Sequence, residues 1–338
     1  MVRQGESLMA TVLVTSRSFS GGAIDLVARL EDAGHTVVRG PAGHDLSELA
    51  PLLANASAWI AGTGPVAAEH LSAASALQIV ARYGVGFEAV DVDAANDAGV
   101  VVTNTPGANS DAVADHAVGL ALAALRHTVD GDRRVRTGDW AVRRGRELGA
   151  ATVGIIGFGR IGQGVARRLS GFGSPVIAVD PFLTPEQITA LGATAGDVMS
   201  VAADCDVVSL HAPGGRVIID EEWLAHARPG MVLVNTARPD LIDEIALAGA
   251  LRDGRIGAYA ADTLNGDAAG SRDSPLLTDD ICDRVIITPH LGAQTVEAVD
   301  GMGSLAVDDV IAVLAGRPAA RPVPTSAIKA SAPSISHS

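Results

Sequence analysis

An α/β fold of two doubly wound parallel-sheet units is what this sequence predicts, and three observations predict it. Short β-branched runs alternate with helix-like stretches almost from end to end. The rhythm breaks once, through a long Ala-rich stretch and a charged segment, and restarts at Ala151. The 338 residues, 48% of them hydrophobic, are enough for two cores of ordinary size. Such alternation favours helices on both faces of a parallel sheet. Aromatic residues make up only 3%, so Ala, Val, Leu and Ile must build the cores.

Taken in order, "TVLVT" (11–15) reads as a strand and "AIDLVARLEDAG" as a helix, with Gly34 as its C-terminal stop. "AWIAG" (58–62) and "PVAAEHLSAA" repeat the pair, "LQIVARYG" precedes "DVDAANDAG", and "VVVTNTPG" follows. A long helix is expected over 110–127, with Asn109 as its N-cap. The segment "TVDGDRRVRTGDWAVRRGRELG" lacks apolar periodicity and reads as a projecting arm or surface connection. After Ala151 come "TVGIIGFG", "PVIAVD", "DVVSLHAP", "MVLVNTA", "IGAYAADT" and "RVIITPH", six strand candidates. A last helix at about 295–315 is placed to return to the first unit. The expected division is 1–108 plus 296–323 as one domain, 109–295 as the other, and a disordered Pro/Ser/Ala-rich tail at 324–338.

A net charge of −14 argues against nucleic acid and anionic membranes as partners. No apolar run is long enough to span a bilayer, the N-terminus lacks a signal-peptide core, and Met9 is a possible alternative start. Cys205 and Cys282 form no metal-like cluster and read as reduced thiols of a cytoplasmic protein.

"GIIGFGRIG" sets Gly157, Gly159 and Gly162 in the G-x-G-x-x-G spacing, between a strand and a helix. The first glycine permits the tight turn, the second lets backbone approach a pyrophosphate, and the third lets helix and strand pack. The helix N-terminus offers unbonded N–H groups to the phosphates. Asp180 ends the next strand 18 residues after Gly162, where a carboxylate accepts from ribose hydroxyls and repels a 2′-phosphate. Pro181 rather than arginine follows, so NAD is expected over NADP. The second unit is therefore Rossmann-like, and the first reads as Rossmann-like or flavodoxin-like, with a ligand cleft expected between the two.

Ligands of such sheets bind beyond the carboxyl ends of the strands. There "VNTAR" delivers Arg238, "AAD" delivers Asp262 with Asp267 following, and "ITPH" delivers His290. The set suits hydride exchange between nicotinamide and a small 2-oxo acid: an arginine for the carboxylate and carbonyl, a histidine for the proton, and a carboxylate to keep that histidine charged. His211, His116 and Trp140 read as structural.

The motifs "ARYGVGFEAVDVDAA", "VTNTPGANS", "GFGRIG", "VNTAR…DE", "SPLL" and "TPHLGAQT" make the chain resemble the D-2-hydroxyacid dehydrogenases over about residues 11–318, nearest the D-3-phosphoglycerate dehydrogenase type. The resemblance implies that Arg238 binds and polarises the substrate, that His290 is the acid–base, and that Asp262 lies beside the nicotinamide carboxamide. It implies a substrate-carboxylate loop at Val85 and Gly86. It extends the cofactor site over Arg160, Ile161, Pro213, Thr236, Ala237, Gly292 and Ala293, with no metal. It also implies a homodimer, with 110–147 and Trp140 in the contact.

The chain departs from that pattern in four places. Asp267 stands where glutamate is usual, one methylene shorter. Pro239 and Asp240 follow the arginine in place of two small residues, and the loop "HAPGGRVIID" with Gly214 and Gly215 is short. "IAGTGP" lacks an arginine that some phosphoglycerate dehydrogenases use for phosphate, and Arg17 is a candidate replacement. Phosphorylated or phosphonate-bearing three-carbon acids and simpler acids such as glyoxylate or hydroxypyruvate therefore both stand as substrates. The alternatives to an enzyme are an NAD(H)-sensing regulatory protein on the same scaffold and, more weakly, a methyltransferase.

Overall fold

The computed structural model describes residues 9–266 and 273–324. The strands are β1 (Thr11–Val14), β2 (Thr36–Arg39), β3 (Ala58–Ala61), β4 (Ile79–Arg82), β5 (Val101–Thr103), β6 (Val153–Ile156), β7 (Val176–Val179), β8 (Thr194–Ala195), β9 (Val207–Leu210), β10 (Met231–Asn235), β11 (Ile256–Ala261) and β12 (Val285–Ile287). They form two sheets in which every strand pair is parallel. The described residues up to Asn109, with those from Ala293 onward, make one unit; Ser110–Gly292 makes the other.

The first sheet runs β2-β1-β3-β4-β5, the flavodoxin-like order. Its inner strand β3 is buried on both faces, as a central parallel strand must be. The helix Val296–Leu314 does return to this unit and packs Met302, Ala306 and Val310 against the sheet. Gly34 closes the helix Leu26–Asp32 as expected, at φ +87°. Strand β2 is not legible as a strand: its four residues are half-buried or exposed and show no alternation.

The second sheet runs β12-β11-β10-β9-β6-β7-β8. The order reverses at β6, so the dinucleotide-type switch point lies between β6 and β9. The sequence suggests six strands; the seventh, β8, is a two-residue edge element too short for any periodicity. Helix Ser110–Leu125 buries Ala114, Ala117, Ala121 and Ala124. A Cβ on Gly164 would lie 3.1 Å from Ala114 Cβ, so small residues on both sides let this helix approach helix Arg160–Ser170 closely. Each fully buried Leu or Ile in these cores contributes about 1.5–3 kcal/mol.

Two expectations need correction. The charged segment after the long helix begins as a helix, Thr128–Arg136, held by ion pairs Arg133–Asp130 (2.7 Å) and Arg136–Asp132 (2.8 Å) instead of an apolar face. Asn109 does not cap the long helix with its side chain; its buried Oδ1 has no hydrogen-bond partner. Aspartates do begin many other helices. Asp25, Asp45, Asp91, Asp197, Asp220 and Asp243 each accept first-turn N–H bonds, so part of the negative charge serves helix N-termini.

Candidate active site

Because the second sheet is parallel throughout, its carboxyl ends line one edge, and the candidate residues of that unit follow one another along it. Gly157–Gly162 leaves β6, Asp180 follows β7, and His211–Pro213 follows β9. Thr236–Arg238 leaves β10, Asp262 follows β11, and His290–Gly292 follows β12.

The glycine turn divides its labour visibly. Gly157 has φ +93°, and a Cβ there would sit 2.5 Å from the His211 carbonyl carbon. A Cβ on Gly162 would run into the Gly157 carbonyl oxygen. Around Gly159 nothing lies within 4 Å of an added Cβ. Two glycines therefore permit close packing, and the third opens onto free space at the start of helix Arg160–Ser170. Arg160 is exposed and Ile161 half-buried in its first turn. The Asp180 carboxylate accepts from Phe158 N–H (2.7 Å) and Phe182 N–H (2.9 Å), which ties the β7 end to the glycine turn. At the neighbouring strand ends, buried Thr236 Oγ1 and His211 Nδ1 have no hydrogen-bond partner. Open space above Gly159, a carboxylate at the β7 end and unpartnered polar atoms on the same edge fit a dinucleotide.

Asn235 shapes the arginine loop. Its amide nitrogen donates to the Arg238 carbonyl (2.9 Å) and its oxygen accepts from Ala237 N–H (3.0 Å), while its side chain is fully buried. Arg238 is half-buried, and its Nη1 donates to the Ala237 carbonyl at 2.8 Å. The sequence displays Asn235 in "VNTAR", but its role emerges only once the chain has turned back on it.

Asp262 is buried and gathers donors from the histidine turn. It accepts from Thr288 Oγ1 (2.5 Å), Leu291 N–H (2.7 Å) and Gly292 N–H (2.7 Å), with His116 Nε2 at 3.3 Å. Burial by itself raises its pKa, but the bonds from His116, Thr288, Gly292 and Leu291 outweigh it, and the group titrates below the usual carboxylate range. His116 Nε2 also lies 2.9 Å from Thr288 Oγ1, so the long helix braces the same turn. Within it His290 is exposed and holds a left-handed φ of +57°. Here Asp262 is first a clamp on the turn that carries His290, a use the sequence alone does not disclose.

Arg17, Val85 and Gly86 belong to the other unit. Arg17 is exposed beyond β1, on a turn held by Arg39, whose guanidinium donates to the Ser16 and Phe19 carbonyls at 3.4 and 3.0 Å. The Val85 carbonyl accepts from Asn104 Nδ2 at 2.7 Å, and Gly86 follows it. Ala293 begins the return segment of that unit. Asp267 lies outside the described residues. Among the described residues no three His, Cys, Asp or Glu side chains gather as a metal site, and no helix is long and apolar enough to cross a membrane.

Comparison with known proteins places the chain in a family. The profile of the D-isomer specific 2-hydroxyacid dehydrogenase, NAD binding domain, matches residues 118–292. A D-3-phosphoglycerate dehydrogenase of Mycobacterium leprae is 40% identical over 285 residues, which are 82% of this chain and 53% of that protein. A glyoxylate reductase of Thermococcus litoralis is 35% identical over 268 residues, 75% of this chain and 79% of that protein. A crystal structure of a Thermus thermophilus protein matches with a TM-score of 0.83 at 32% identity, covering 93% of this chain and 100% of that one. The chain thus spans about half the length of the D-3-phosphoglycerate dehydrogenases it matches.

Proposed function

Since the chain belongs to the D-isomer-specific 2-hydroxyacid dehydrogenase family, with that family's NAD-binding domain as its second unit, we propose that it is an NAD-dependent oxidoreductase interconverting a small 2-oxo acid and a D-2-hydroxy acid. What supports this reading is that Arg238 follows β10 and His290 follows β12 at the carboxyl ends of the same parallel sheet whose β6 end bears the glycine turn.

Bound NAD(H) supplies or accepts the hydride. Backbone at Gly159, Arg160 and Ile161 would hold its pyrophosphate on a turn whose shape Gly157 and Gly162 permit, and Asp180 would hold its ribose. Pro213, Thr236, Ala237, Asp262, Gly292 and Ala293 would line the remainder. Arg238, charged at any working pH, pairs with the substrate carboxylate and draws electron density from the carbonyl oxygen. As hydride reaches C2, His290 gives its proton to that oxygen; in the reverse direction it takes the hydroxyl proton. Asp267 stabilises the charged imidazole. Val85 and Gly86 offer backbone to the substrate. Arg17 is the group for a second anion, such as a phosphate or phosphonate, on those three-carbon acids that carry one. The enzyme works as a cytoplasmic homodimer.

The test is NADH consumption against phosphohydroxypyruvate, phosphonopyruvate, hydroxypyruvate, glyoxylate, pyruvate and 2-oxoglutarate. His290→Ala and Arg238→Ala are each expected to lower turnover of the accepted acid about 10²–10⁴-fold while NADH still binds. Arg17→Ala is expected to raise KM only for acids with a second anion. Retained turnover in either of the first two variants refutes their roles, and silence of the wild type with NADH bound favours the NAD(H)-sensing alternative.

A further inference from the structure

Two departures noted in the sequence, the Pro239–Asp240 pair and the short loop with Gly214 and Gly215, meet in the structure. The Asp240 carboxylate accepts a hydrogen bond from Gly215 N–H at 2.6 Å, across 25 residues of sequence. A Cβ on Gly214 would lie 2.7 Å from Asp240 Oδ1 and 3.1 Å from Arg238 Cγ. Glycine at that point is what lets the carboxylate and the arginine stem share the space. Gly215 itself has φ +105°, which a side chain would oppose. Beyond it the loop runs alongside the arginine segment. Ile218 and Ile219 N–H donate to the Leu241 carbonyl at 2.8 and 3.0 Å, and Asp243 N–H donates to the Ile219 carbonyl at 2.9 Å. Pro239, with its ring-restricted φ, opens the short 3₁₀ turn Pro239–Leu241 and sets the direction in which Asp240 leaves the chain.

We propose that Asp240 is a specificity-determining residue: it pins the 213–217 loop and, by standing beside Arg238, disfavours substrates that bring a second negative charge. On this view Asp240 lowers the preference for phosphorylated or dicarboxylic acids below what Arg17 alone would give, and small monoanionic 2-oxo acids gain by comparison. The inference rests on Arg238 acting as the substrate arginine. Its physical basis is simple repulsion between the exposed Asp240 carboxylate, held by Gly215 N–H, and an added anion bound at Arg238, an effect salt weakens. Asparagine at 240 retains an oxygen to accept from Gly215 N–H and removes only the charge.

The experiment titrates the NADH complex with oxamate and with oxalate, acids of nearly equal shape that differ by one negative charge, reading NADH fluorescence. In Asp240→Asn the oxalate-to-oxamate affinity ratio is expected to rise about three- to tenfold at low ionic strength and to fall back toward the wild-type ratio at high salt. In parallel, the kcat/KM ratio of phosphohydroxypyruvate to glyoxylate moves in the same direction. An unchanged affinity ratio, or an equal loss of affinity for both acids, reduces Asp240 to a loop latch and overturns the proposal. A wild-type NADH complex that binds neither acid and turns over no 2-oxo acid overturns the functional reading and this inference together. That result is distinct from bound acids with an unmoved ratio.

Discussion

At the scale of single residues, the three glycines of the turn make unlike demands. Alanine at 157 must adopt φ +93° and push into the β9 end 2.5 Å away. Strain and overpacking of that kind cost about 1–3 kcal/mol each, so Gly157→Ala is expected to destabilise by about 3 kcal/mol or more. Alanine at 159 meets nothing within 4 Å and is expected to cost less than about 1 kcal/mol while weakening NADH binding about tenfold or more, because its methyl occupies the approach of the pyrophosphate. Urea unfolding and NADH titration of both variants check the contrast; equal stability losses would remove the division of labour. Asp262 shows the same dependence on surroundings: its carboxylate is legible in "AAD", but its four donors come from the histidine turn and from His116, far along the chain.

At the scale of elements, the helix Thr128–Arg136 and the segment after it carry a second prediction. Asp130, buried, receives Arg133 and Arg143. Burial by itself raises its pKa, the two arginines more than compensate, and the carboxyl titrates below its usual range. Arg143 also reaches Asp283 at 2.9 Å, so the segment is fastened to the rest of its unit. Yet Trp140 and Val142 are 77% and 94% exposed. Side chains of this size on a fastened segment are expected to be covered by a second copy of the chain, as the proposed homodimer requires. Sedimentation equilibrium at micromolar concentration should find a dimer for the wild type and a shift toward monomer for a Trp140→Ser, Val142→Ser double variant. A monomeric wild type counts against the assembly.

At the scale of the whole molecule, several histidines make folding sensitive to acid. Burial penalises the charged ring of His35, of His44 and of His211, and lowers their pKa below 6.5, for His211 to about 4. In the first unit, His44 Nδ1–H donates to the Pro65 carbonyl (2.9 Å), so its Nε2 accepts from Thr15 Oγ1 at 2.6 Å. Thr15 in turn accepts from Trp59 Nε1–H (3.0 Å) and Gly62 N–H (3.2 Å), and a proton added to Nε2 breaks this chain. The unfolded chain takes up these protons near 6.5 and the folded chain does not. The contribution is therefore fully present above 6.5 and is lost as pH falls toward the folded values. His211 accounts for on the order of 3 kcal/mol of that loss. The urea midpoint is expected to fall between pH 7.5 and pH 5, and less steeply in His211→Asn. Equal wild-type midpoints at the two pH values would contradict this.

By itself the sequence determined the parallel α/β class, the dinucleotide turn, and the strands whose ends carry Arg238, Asp262 and His290. Each of these is written in a local pattern: β-branched runs, a fixed glycine spacing, and a polar residue closing an apolar segment. Only the tertiary structure decided the edge strands β2 and β8, which are too short or too exposed to carry a period. The charged helix Thr128–Arg136 escaped for a related reason, being held by ion pairs that leave no apolar stripe. Tertiary structure also decided that Asp262 clamps the His290 turn and that Asp240 meets Gly215. Those meetings join segments remote in sequence, and a hydrogen bond between remote segments depends on where the chain returns, which no local pattern records.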